Sequence, residues 1–91
     1  MPSIDITRKH SRPLADARQA VQRVADHIAE RFDVRCHWQG NTLHFERSGV
    51  DGHIRVSAKS VHVTARLGFL LMALHGSVER EINRYLDEEF S

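Results

Sequence analysis

At 91 residues the chain has room for one domain and one core, without space for a linker and a second core. Its 13 Lys and Arg nearly balance its 12 Asp and Glu, with both signs interspersed, which argues against a nucleic-acid stripe or a charge-driven membrane contact. The single Cys36 excludes an intramolecular disulfide, no apolar leader-like stretch opens the sequence, and no run reaches the roughly 20 apolar residues of a membrane span, so a cytoplasmic protein is expected.

Ser3 to Thr7 alternates, placing Ile4 and Ile6 on one face of a short strand whose charged Asp5 suits a sheet edge. Ser11 is a good N-cap, with Pro13 in the first turn of the helix that follows. Leu14, Ala17, Val21, Val24, Ala25, Ile28 and Phe32 form one stripe of that helix, opposite a charged face. The period then changes to two. Val34, Cys36 and Trp38 share a strand face, Gly40-Asn41 makes a two-residue hairpin loop, and Leu43 and Phe45 continue the same face. That loop pairs Trp38 with Leu43, Cys36 with Phe45, His37 with His44 and Arg35 with Glu46.

The next turn is centred on either Gly49-Val50 or Asp51-Gly52; both options keep Phe45 and Ile54 on one face. Ile54, Val56 and Ala58 then point inward, and Lys59-Ser60 closes a further hairpin, or a longer loop does. Val61, Val63, Ala65 and Leu67 form the inner face of the last strand. A C-terminal helix follows with Leu67, Leu71, Leu74, Val78, Ile82, Tyr85 and Leu86 as its core stripe. The expected fold is α+β, a single domain over 1–91 in the order β-α-β-β-β-β-α. It is an antiparallel sheet with both helices on one face, similar in outline to a shortened helix-grip domain.

Six consecutive apolar residues, Phe69 to Leu74, lie at the start of that helix, so the run is apolar all round and one buried face cannot account for it. Phe69, Met72, Ala73 and Gly76 fall opposite the core stripe, with Leu70 at the margin. These five residues are the expected interaction surface, and Gly76 would mark a kink, a close backbone contact or a break. The chemistry-bearing side chains suggest less. His37, His44, His53 and His62 fall on the outward phase of their strands and lack metal-ligand spacing, so a solvated polar face is favoured. Cys36 shares its phase with Val34 and Trp38 and is expected in the core, away from His37. No catalytic, cofactor or metal site is expected.

Ile4-Asp5-Ile6-Thr7-Arg8-Lys9-His10-Ser11, Phe45 to Gly52 and Leu67 to Leu74, with the Trp38-x-Gly40-x-x-Leu43-x-Phe45 spacing and the Ala17-Arg18 pair, carry a resemblance over nearly the whole chain. It resembles the putative polyhydroxyalkanoic acid system protein family, also called the polyhydroxyalkanoate granule region family, found in bacterial gene regions for storage-polymer synthesis. The resemblance implies a non-enzymatic, granule-associated or regulatory role in the cytoplasm, with the granule surface or its proteins as partners and no catalytic residues to carry over. Two alternatives stand beside it. The same apolar helix face could make a homodimer, or a pocket near Trp38 and Tyr85 could hold an acyl or hydroxyacyl ligand.

Overall fold

Alternation at a period of two builds five strands, and two stripes at the helical period build the helices that cover them. The structure is a computed structural model in which residues 3–68 and 73–90 are described. In chain order it contains β1 (Ser3–Lys9), α1 (Leu14–Phe32), β2 (Arg35–Gln39), β3 (Thr42–Arg47), β4 (Val50–Val56), β5 (Ser60–Leu67) and α2 (His75–Phe90). This is the expected order. The sheet runs β1-β5-β4-β3-β2 with every neighbour antiparallel, so β2 to β5 form a meander and β1 returns to pair with β5. Ile4, Leu43, Ile54, Val61 and Val63 of the sheet are buried in one core with Val21 and Val24 of α1 and Ile82 and Leu86 of α2.

The β2–β3 register is the expected one, from Arg35 opposite Glu46 to Trp38 opposite Leu43. The β3–β4 turn is not. Phe45 lies opposite Gly52 and Arg47 opposite Val50, which puts Ser48-Gly49 at the centre, with Gly49 at φ 85°. Gly52 is needed inside the strand instead: a Cβ there would sit 2.6 Å from the Thr64 carbonyl oxygen and 2.7 Å from the Phe45 ring. The aromatic ring occupies the space a side chain would take. The β4–β5 turn also differs. Val56 lies opposite Val61 and Ser57 N–H donates to Ser60 O at 2.8 Å, so Ala58-Lys59 is the turn and Ala58 is exposed, not inward.

Helix α1 starts after Pro13, which takes the N-cap place without a side-chain hydrogen bond, and not at Ser11. A start at Ser11 would require helical geometry at Arg12, which the following proline disfavours. Leu14 consequently falls at the very beginning of the helix and is 39% exposed, outside the core. At the other end Asp33 adopts the left-handed conformation (φ 56°) and its N–H donates to Ala29 O at 2.8 Å, closing the helix.

Leu67 belongs to β5, where it lies opposite Val50 and is 1% exposed, and α2 begins only at His75. The expected helix therefore starts too early by more than a turn. Leu74 is 47% exposed and does not join the core; Leu71 lies outside the described residues.

Candidate interaction surface

Strand β5 ends where Gly68 N–H donates to Gly49 O at 2.7 Å, and Ala73 and Leu74 lie just before α2. Phe69, Leu70 and Met72, three of the five expected contact residues, lie outside the described residues. The other two, Ala73 and Gly76, are exposed, as is Leu74 between them. Gly76 does not break the helix: α2 runs through it, and within the chain a Cβ there would meet nothing within 4 Å. Its place in the first helical turn is enough to tolerate the missing side chain.

Leu74 borders a gap in the core packing. An apolar hollow of about 80 Å³ is lined by Phe32, Val34, Val50, Leu67, Val78 and Ile82 among others. Arg47, the one charged residue of the lining, is held by a bond from its Nη1 to Phe32 O at 2.7 Å, which also satisfies a carbonyl at the end of α1. The hollow is much smaller than the roughly 300–1,000 Å³ of small-molecule sites. It suits one inserted side chain. A wider cleft of about 540 Å³ adjoins it, bounded by Asp33, Arg35, Glu46, Arg47 and Asp51, whose charges of both signs define no single ligand class.

Trp38 and Tyr85 have separate partners. Trp38 Nε1 donates to Gln22 Oε1 at 2.7 Å and the Arg18 guanidinium stacks on its ring, 4.7 Å from the centroid. Tyr85 stacks on His27 at 4.8 Å, and burial first, then the Glu81 carboxylate, push its hydroxyl pKa up. Cys36 is half-buried against the core, and burial followed by the Asp26 carboxylate raise its thiol pKa, which leaves it protonated near neutrality.

The far face of the sheet carries the histidines as expected. His37 stacks on His44 at 5.2 Å and His44 tilts toward His53 at 6.0 Å, while His62 bonds to Asp5. Rings stacked face to face do not converge their nitrogens on one point. Among the described residues no group of three or more His, Cys, Asp or Glu is placed to hold a metal ion.

Sequence reading missed one line of residues: Arg18, Gln22 and Asp26, which run along α1 beside β2. Their spacing of four was visible, but without the position of Trp38 they read as ordinary solvated helix surface.

Comparison with known sequences supplies the family. The sequence model of the putative polyhydroxyalkanoic acid system protein family matches residues 4–90, and the chain belongs to that family. No curated protein and no solved structure matches the chain. The family description names a polymer system and no reaction, and among the described residues no helix is long and apolar enough to cross a membrane.

Proposed function

Taking membership of the polyhydroxyalkanoic acid system family as the premise, we propose that the chain is a non-enzymatic cytoplasmic protein that docks on the hydrophobic surface of the storage granule. Ala73 and Leu74 make the contact together with Phe69, Leu70 and Met72, and Gly76 keeps the adjoining helix turn narrow. The observation that supports this reading is Leu74, which is 47% exposed and lines an apolar hollow of the core. Fully burying a side chain of this size is worth roughly 1.5–3 kcal/mol, so a few together give useful affinity for an apolar surface.

The test is co-sedimentation with polymer granules. Leu74→Ser, alone and combined with Phe69→Ser and Met72→Ser, should release the protein into the supernatant while circular dichroism and thermal melting show it folded. A folded triple variant that still pellets with granules would refute the proposal.

A further inference from the structure

The two edges of the sheet are finished differently. On β1, Ile4 and Ile6 are 0% and 9% exposed, Lys9 stands exposed at the strand end, and Asp5 and Arg8 are engaged within the chain. Arg8 bonds to Asn83 and Asp87 of α2, and Asp5 to His62. On β2 the two inward side chains, Cys36 and Trp38, are only half-buried, although both pack against the core. Edge strands are normally blunted by Lys, Pro, a bulge or a covering loop. The five residues of β2, Arg-Cys-His-Trp-Gln, contain neither Lys nor Pro and pair regularly with β3.

The helix beside this edge is polarised. Arg18 lies over Trp38, Gln22 accepts from Trp38 and donates through Nε2 to Asp26 Oδ1 at 2.9 Å, and the Asp26 carboxylate acts on Cys36. Residues four apart share a helix face, so a positive, a neutral and a negative group follow one another along the edge. The positive end stands at Trp38 and the negative end at Cys36.

We infer that β2 pairs antiparallel with β2 of a second copy of this chain, about a two-fold axis at His37, so that Arg18 of each copy faces Asp26 of the other. A two-fold axis at His37 exchanges the Trp38 and Cys36 ends. It therefore brings each positive helix position against the negative one, and Gln22 against Gln22. Along the strand it sets Cys36 opposite Trp38, completing their cover, and Arg35 opposite Gln39. No fixed charges of like sign are opposed. A parallel arrangement would instead turn the two α1 helices to opposite faces of the joined sheet, where Arg18 and Asp26 of the two copies could not meet. The contact is isologous and closes at two copies, joining two five-stranded sheets into one of ten strands. It leaves the surface around Leu74 free, so it is independent of the granule proposal, and it differs from a homodimer built on Ala73 and Gly76.

Sedimentation equilibrium of the whole protein at low salt and neutral pH tests it. The expected mass rises with concentration from the 10.4 kDa of one chain toward that of two. Arg18→Glu and Asp26→Arg, each alone, oppose like charges at both symmetric contacts and should weaken the dimer roughly tenfold or more. The double variant should restore it. His37→Cys on a Cys36→Ser background should form an intersubunit disulfide under mild oxidation, because residues directly opposite across antiparallel strands lie within disulfide reach. That variant leaves the Arg18–Trp38 stack untouched, so the test does not depend on Arg18→Glu folding. A protein monomeric at every concentration would overturn the inference. So would a dimer indifferent to both charge reversals, or one dissociated by Ala73→Glu and unaffected at Arg18 and Asp26.

Discussion

The two helices are both amphipathic, yet they are used differently. Helix α1 buries Ala17, Ala20, Val21, Val24, Ala25 and Ile28, spread from its first turns to its last. Helix α2 buries Ile82, Tyr85 and Leu86, from its midpoint onward. That part is also where Arg23 of α1 reaches Glu89 at 2.6 Å and Arg8 of β1 reaches Asn83 at 2.8 Å. The first turn of α2 has exposed Gly76 and, just before it, exposed Leu74. Amphipathicity alone did not distinguish a helix that closes the core from one that is anchored at one end and presents apolar surface at the other. Where the buried positions sit along the helix does.

The largest effect expected from breaking this contrast is in α1. Ile28→Ala removes a 3% exposed side chain from the core and should cost about 2–5 kcal/mol in urea unfolding, with granule binding by the folded fraction unchanged. Leu74→Ser should do the reverse, costing about 1 kcal/mol or less in stability because the side chain is already half-exposed, while binding is lost. A stability loss as large as that of Ile28→Ala would show that Leu74 belongs to the core after all. Gly76→Ala should raise the unfolding midpoint, by about 0.5 kcal/mol, since the helix gains a better helix former in open space. No gain would mean that the start of α2 carries none of the stability.

The smallest effect lies on the sheet face turned away from both helices. The pKa of His53 is lowered, chiefly by partial burial and then by Arg55, His44 and His62. An unfolded His binds its proton near 6.5, above the folded value, so stability should be flat at higher pH and decline as pH falls below about 6.5. Urea midpoints at pH 7.5 and pH 5 should differ less in His53→Asn than in the parent. An unchanged difference would assign the acid sensitivity to other groups.

Much of the architecture was readable because independent signals agreed. In the β2–β3 hairpin the Gly40-Asn41 loop and the Val34, Cys36, Trp38, Leu43, Phe45 phase required the same register, and that register is present. The 48–52 turn offered two centres, Gly49-Val50 and Asp51-Gly52, and the observed Ser48-Gly49 preserves the same inward phase, since moving a pairing by two residues keeps every side chain on its face. Only the packing of the Phe45 ring on Gly52 decides, and that contact is tertiary. Leu67 satisfied the strand and the helix pattern at once, and pairing with Val50 resolved it in favour of the strand. At the start of α2 the helical wheel assigned Leu74 to the core, whereas it is 47% exposed. Burial there depends on where the helix starts, which shifts the phase of everything after it. The Arg18, Gln22 and Asp26 line was hidden for a related reason: its meaning depends on a tryptophan brought alongside by the fold.

The return of β1 has a kinetic consequence. Strands β2 to β5 can zip up by successive short hairpins, each closing a small loop. Ile4 must wait for Ala65 and Arg8 for Asn83 and Asp87, partners at the opposite end of the chain, so their loop-closure entropy is met last. Folding is therefore expected to end with the docking of β1. Substitutions at Ile4 or Ile6 should accelerate unfolding and leave the refolding rate nearly unchanged, the signature of a strand absent from the transition state.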